Sequence, residues 1–235
     1  MAQVPSVHSP YGPECRACWI VDEGNVLLGV DASGLELRML AHYMNDENYI
    51  KEILDGDIHT ANQRAAQLKS RNQAKTFIYA LMYGAGDEKL GKVVEGSTAD
   101  GKRAREHFFD NNPAFKSLRD RVQRAASKKY LKGLDGRKIY IRNAHASLNS
   151  LLQGAGAIVM KQALTLADKW ATCNNIDYKF VANIHDECQI EVPEDKADFI
   201  GQFAVDSIVK AGEHFNLRCP LDGEYKIGGN WSETH

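Results

Sequence analysis

The chain has 235 residues, of which 43% are hydrophobic and 26% charged. That composition suits one large domain or two small ones with a sizeable core, and it excludes disorder and collagen-like repeats. No run approaches the roughly 18 apolar residues of a membrane helix. The first ten residues lack the basic and apolar regions of a secretory signal.

Five irregularly spaced cysteines fit reduced thiols in a cytoplasm-like compartment. The net charge of −2 conceals an asymmetry: Asp46 to Arg142 holds 20 Lys and Arg against 13 Asp and Glu, and the flanks are acidic. A basic middle is expected to meet a polyanion. Its densest part is Lys116, Arg119, Arg121, Arg124, Lys128, Lys129 and Lys132. A solvated helix face explains that cluster equally well.

In chain order, Ala2 to Pro13 carries three prolines and reads as an extended arm. Val26 to Val30 is an apolar run that predicts a buried strand ending at Asp31. Leu35 to Met44 and Asp57 to Leu68 predict helices. Ser70 to Tyr83 is the best-marked helix, with Ser70 as cap, Gln73 three residues on, and Gly84 and Gly86 as stops. Arg103 to Lys132 reads as a long basic helix broken at Asn112-Pro113. Lys138 to Ile141 predicts a short strand and Ser147 to Trp170 a long apolar helix. Phe180 to Ile184 and Cys188 to Val192 predict a hairpin with His185-Asp186-Glu187 at its tip. Asp195 to Phe215 is the last helix. The expected architecture is α+β, a sheet-based platform with a helical insertion.

Three places carry chemistry. Asp31 ends a buried strand, where a carboxylate can hold a metal or simply cap the next helix. Asp186 sits at a hairpin tip, where acids also occur for turn reasons. Two acids on separate strand ends that converge in one sheet suit a pair of Mg²⁺ ions in phosphoryl transfer. On the Ser70 helix, Arg71, Lys75, Tyr79 and Tyr83 recur every four residues and share a face, with Ala74, Phe77, Ile78 and Leu81 opposite. Guanidinium and ammonium groups bind phosphate oxygens, and an aromatic ring offers a stacking surface. The face reads as a triphosphate clamp with a platform, to which His59 can add a contact.

Three other patterns fail. Gly86 to Lys92 has P-loop spacing, but Val93 stands where Ser or Thr is needed, and a helix precedes it. Cys15 and Cys18 have zinc-knuckle spacing without a second pair. His185 to Cys188 cannot converge on zinc, because adjacent strand residues face opposite ways.

Asp31-Ala-Ser-Gly-Leu-Glu-Leu-Arg38 resembles motif A of the family A DNA polymerases, relatives of bacterial DNA polymerase I. Arg71-x-x-x-Lys75-x-x-x-Tyr79-x-x-x-Tyr83-Gly84 resembles motif B, and His185-Asp186-Glu187 resembles motif C. Leu134 to Lys138 and His145 to Gln153 resemble the stretch between B and C. The wording is similar to that of replicative polymerases of T-odd phages, including the final Gly-Gly-Asn-Trp and His235.

The resemblance implies template-directed DNA synthesis by a polymerase palm, residues 1–45 and 143–235, with a helical fingers subdomain at 46–142. It implies two Mg²⁺ ions on Asp31, Asp186 and the carbonyl of Ala32, with Glu187 as a supporting catalytic acid. His59, Arg71 and Lys75 would hold the incoming dNTP, and Tyr79 would lie against its sugar and base. A Tyr there goes with acceptance of dideoxynucleotides. Glu36 with Tyr83 would exclude ribonucleotides. Arg142, His145, Asn149, Gln153 and His185 would touch primer–template DNA.

Family members are far longer, and neither a thumb nor exonuclease acids precede the match; the stretch Arg124 to Gly133 is also short. The chain is therefore expected to be a fragment or one product of a split polymerase gene. Met1 at a plausible start, with Met1 to Pro5 resembling a segment of relatives, favours the split. A separate chain supplying thumb and exonuclease, and a processivity factor, are the implied partners, in the cytoplasm of a phage's bacterial host. The chain by itself is expected to bind DNA weakly and polymerise poorly. Two rivals stand beside this reading. A single-subunit RNA polymerase shares the two-aspartate palm, and Glu36 and Tyr83 argue against it. A non-catalytic DNA-binding subunit could keep the fold, and the intact Asp31, Arg71, Lys75 and Asp186 argue against that.

Overall fold

The computed structural model describes residues 4–235; Met1, Ala2 and Gln3, part of the expected arm and of the match at Met1 to Pro5, lie outside the described residues. The remainder of that arm is turned rather than extended: Ser9 N–H donates to the Ser6 carbonyl at 2.8 Å. A short helix, α1 (Gly12–Ala17), then starts with Pro13 in its first turn, where the missing N–H costs nothing.

The chain falls into two compact units, one made of residues up to Leu35 with Gly156–His235, the other of Glu36–Ala155. The first is built on an antiparallel sheet. The predicted strand is β1 (Asn25–Ala32), and the predicted hairpin is β2 (Lys179–Ile184) and β3 (Glu187–Pro193). A strand absent from the sequence prediction, β4 (Gly223–Gly228), completes the order β2-β3-β1-β4. Exposed and half-exposed residues alternate along it with Glu, Tyr and Lys, so its apolar signal is weak.

The two inner strands are buried nearly throughout, which explains why they read as continuous apolar runs rather than alternating ones. Two helices cover one face: α2 (Ser147–Cys173), longer at its end than predicted, and α3 (Ala197–His214). Val30, Cys188 and Ile190 of the sheet meet Met160 and Ala163 of α2 and Ala204 and Ile208 of α3 along one seam. The opposite face is covered by residues 230–235. Gly29 is required there, because a Cβ would run into the Thr234 carbonyl and the Gln189 side chain.

The second unit is helical. It holds α4 (Leu35–Met44, from its second residue on), α5 (Glu47–Leu54), α6 (Ile58–Ala66), α7 (Arg71–Met82), α8 (Asp87–Val93), α9 (Thr98–Asn111) and α10 (Pro113–Ala126), with the start of α2. Helices α5 and α8 are short and were not predicted. The long basic helix breaks at Asn112 as expected, with Pro113 opening α10. It stops before Lys132, however. Lys129 takes φ 62° and residues 130–132 form a strand, β5 (Tyr130–Lys132), paired with β6 (Lys138–Tyr140). Phe77, Phe108 and Phe115 form the aromatic centre of this unit, with successive ring centroids 6.1 and 5.2 Å apart. All three are fully buried.

Candidate active site

In the sheet unit, β1 and β3 run antiparallel with Asp31 opposite Glu187, and on its other side β4 places Glu224 opposite Asp31. The Ala32 N–H donates to the Asp186 carbonyl at 3.0 Å. The sequence-distant Asp31 and Asp186 are therefore close at the backbone, the one near the end of β1 and the other in the turn that leads into β3. Burial pushes the Asp31 carboxyl up to about 6, and the charges of Asp186, Glu187 and Glu224 push the same way. A carboxylate crowded by three acids is a poor resting place for an extra negative charge and a good one for a hard cation.

The turn between β2 and β3 is made by His185 and Asp186 alone, and His185 lies in the left-handed region at φ 56°. A non-glycine residue there stores on the order of 1 kcal/mol of strain, which persists only where the surroundings hold it. Glu187 supplies that hold. Its Oε1 accepts from Trp231 Nε1 at 2.7 Å and Gln189 Nε2 at 2.5 Å, and Oε2 lies 2.5 Å from His235 Nδ1. Glu187 is buried, with Trp231 beneath it almost wholly so. Its carboxylate is thus spoken for by protein donors, and it reads as a support of the turn. Nothing in the sequence marks Trp231, His235 or Gln189 as its partners, since 44 and 48 residues separate the first two from it.

In the helical unit, Ser70 caps α7 by accepting from Gln73 N–H at 3.2 Å, while Gln73 Oε1 reaches back to Lys69 N–H at 3.0 Å. The predicted apolar side, Ala74, Phe77, Ile78 and Leu81, is buried. Arg71 and Lys75 are exposed on the other side, and the Tyr79 and Tyr83 rings lie 6.3 Å apart. Tyr83 donates to Glu36 at 2.9 Å, and Gln153 also hydrogen-bonds its hydroxyl. Gly84, at φ 80°, must lack a side chain because a Cβ would strike the His145 carbonyl. Glu36, Tyr83, His145 and Gln153 are thereby gathered at the end of α7.

His59, on α6, is held below the usual histidine range by burial and by the charges of Arg71 and Lys75. Its Nδ1 is buried without a hydrogen bond among the described residues, as is Asn149 Oδ1. Arg142 and His145 are exposed, and so is His185 in the sheet unit. A residue that sequence reasoning passed over is Asp57, which accepts from Arg71 Nε at 2.7 Å. Its place two residues before His59 is the only sign of it in the sequence.

Among the described residues no group of three or more His, Cys, Asp or Glu gathers that could cage a metal ion. The donor set at Asp31 and Asp186 fits instead an ion of the Mg²⁺ type, which uses one or two carboxylates and completes its shell with water and substrate phosphates. Gly86 to Lys92 is the start and body of helix α8 rather than a phosphate loop. Cys15 and Cys18 are free and exposed. No helix among the described residues is long and apolar enough to cross a membrane.

A model of the family described as DNA polymerase family A matches residues 1–233. The whole chain is similar to the DNA-directed DNA polymerase of Enterobacteria phage T3, at 41% identity, and to that of Escherichia phage T7, at 40%. It spans 38% of the length of each. The thermostable DNA polymerase I of Thermus aquaticus is 26% identical over 96% of the chain, which spans 29% of that relative. Among solved structures, the POL domain of Pol1 from M. smegmatis, in complex with DNA primer-template and dNTP, superposes with a TM-score of 0.89. That match is 24% identical and covers 100% of this chain and 45% of the other, and it shows a shared fold.

Proposed function

The chain belongs to DNA polymerase family A, and from that premise we propose that it carries the palm and fingers of a template-directed DNA polymerase. One observation carries the reading: Asp31 on β1 and Asp186 in the turn before β3, 155 positions apart in the chain, are brought together by the Ala32 N–H bond to the Asp186 carbonyl, and the Asp31 carboxyl is raised by burial and by the acids around it.

Asp31 and Asp186, with the Ala32 carbonyl, would hold two Mg²⁺ ions, which when bound lower the pKa of the primer 3′-hydroxyl and neutralise charge on the α-phosphate. Glu187 keeps the turn bearing Asp186 in place through Trp231, Gln189 and His235. Arg71 and Lys75 draw and orient the triphosphate of the dNTP, and His59 beside them offers a ring N–H. Tyr79 presents its ring to the sugar and base. Glu36, fixed by Tyr83, closes the space that a 2′-hydroxyl needs. Arg142, His145, Asn149, Gln153 and His185 face the primer–template.

The relatives are longer than the matched segment, so synthesis of long products is expected to call on further polypeptide, in the same chain or as a thumb- and exonuclease-bearing partner, and on a processivity factor. Primer extension by the 235-residue chain, with and without Asp186→Ala, tests the proposal. The substitution is expected to lower incorporation by at least about 10²-fold, because several kcal/mol of transition-state stabilisation go with the metal site. Equal incorporation by both proteins refutes the catalytic assignment.

A further inference from the structure

We propose that Asp57 is a positioning residue for triphosphate binding, aiming the Arg71 guanidinium while it sets the helix that bears His59. This rests on the reading of His59, Arg71 and Lys75 as the triphosphate contacts.

Asp57 precedes α6 and caps it: one oxygen, Oδ1, accepts from the backbone N–H of His59 at 3.1 Å and of Thr60 at 3.3 Å. A cap needs no more than that. The second oxygen, Oδ2, nevertheless accepts from Thr60 Oγ1 at 2.8 Å and from Arg71 Nε at 2.7 Å. Four donors therefore converge on one carboxylate, and they belong to the start of α6 and the first residue of α7. The Arg71 contact holds the Asp57 carboxyl well below the usual range, with Thr60 adding to it.

Both partners of the Arg71–Asp57 pair are half-exposed, and an exposed ion pair contributes little to stability. Its worth lies in geometry. A guanidinium has five N–H donors in a rigid fork. Asp57 takes the one on Nε, and no bond of the described residues takes those on the two terminal nitrogens. Those four are the donors that grip a phosphate bidentately. A long, rotamer-rich side chain is in this way fixed at its neck with its gripping edge open, so less entropy is lost when the triphosphate arrives. The same carboxylate fixes the backbone N–H of His59, whose ring feels both Arg71 and Lys75. One acid thus couples the two helices that supply the cationic cluster.

Asp57→Asn keeps a side chain that caps helices as well as Asp does, and Asp57→Ser does the same with a hydroxyl; both remove the carboxylate that Arg71 needs. Mg-dATP binding to the full chain is measured by calorimetry, with dATP KM and kcat from single-nucleotide extension where the chain extends. The expected result is a dissociation constant and KM raised about tenfold, the size of one charge-assisted hydrogen bond, with kcat within about twofold and the thermal midpoint unchanged. Adding Asp57→Asn to Arg71→Ala is expected to cause no further loss, which a purely structural cap would not show. Unchanged or tighter Mg-dATP binding in Asp57→Asn, with Arg71→Ala clearly weakened, overturns the inference and leaves the triphosphate reading standing. Binding unaffected by Arg71→Ala, or no Mg-dATP uptake by the unsubstituted chain, overturns the triphosphate reading and the inference with it.

Discussion

Tyr83 donates its phenolic hydroxyl to both carboxylate oxygens of Glu36, at 2.9 Å each, across 47 residues of sequence. Burial and the Glu36 carboxylate both push the phenol far above its ordinary range, so it stays a donor at every working pH. The pair is a fixed wall rather than two mobile side chains.

Glu36→Ala removes that wall and leaves Tyr83 free to move. Ribonucleotide incorporation relative to dNTP is expected to rise on the order of tenfold to a hundredfold, the range over which a pocket rejects an added group by shape. Parallel single-nucleotide extensions with UTP and dTTP check it, and an unchanged ratio removes Glu36 from its assigned role.

Asp31 links activity to stability. Its carboxyl is raised to about 6 from 3.8, so between those values the folded chain binds the proton more tightly than the unfolded one. The contribution of Asp31 to stability is then greatest below about pH 4, declines as pH rises to about 6, and is level above. Asp31→Asn removes this decline. In EDTA at pH 8 the variant is expected to be about 1–2 kcal/mol more stable than the unsubstituted chain, less than the full linkage value because the group is partly open to solvent. The advantage disappears near pH 4. Urea unfolding at both pH values measures it, and the same variant is expected to lose nucleotide incorporation.

Trp231 tests the support beneath the turn. Trp231→Phe keeps a ring under the Arg16 guanidinium, now 4.2 Å from the ring centre, and beside Trp19, but it deletes the N–H that serves Glu187. A buried carboxylate that loses a donor is expected to cost about 1–3 kcal/mol. The urea midpoint should fall with the slope unchanged, and a midpoint equal to that of the unsubstituted chain shows that the indole N–H holds nothing.

Tyr79 is half-buried on α7, with its ring 6.3 Å from that of Tyr83. Tyr79→Phe is expected to lower the ddNTP/dNTP incorporation ratio by about tenfold, the value of one hydrogen bond to a charged group. Terminated-product ratios on a sequencing gel measure it, and an unchanged ratio places Tyr79 away from the sugar.

The long helices and the inner strands were legible because their signals are local. Ala74, Phe77, Ile78 and Leu81 repeat at helical spacing, and Pro113 breaks the basic helix where its ring forbids continuation. Short α5 and α8, and the edge strand β4, escaped because a few half-exposed residues carry little periodicity. The basic helix was read too far, since nothing local warns that Lys129 turns left-handed and that Leu131 is buried in a hairpin instead.

The order and spacing of the chain alone marked the candidates for chemistry: Asp31, the Arg71–Tyr83 face and Asp186 stand out from strand ends and a four-residue repeat. Tertiary structure alone decided who meets whom. It paired Asp31 with Glu187 and Glu224 through strand register, saturated Glu187 with Trp231 and His235, and gave Arg71 to Asp57. Register and ion pairing are settled by the summed contacts of residues far apart in the polymer, where a shift of one position turns every side chain to the other face, and no local pattern encodes that sum.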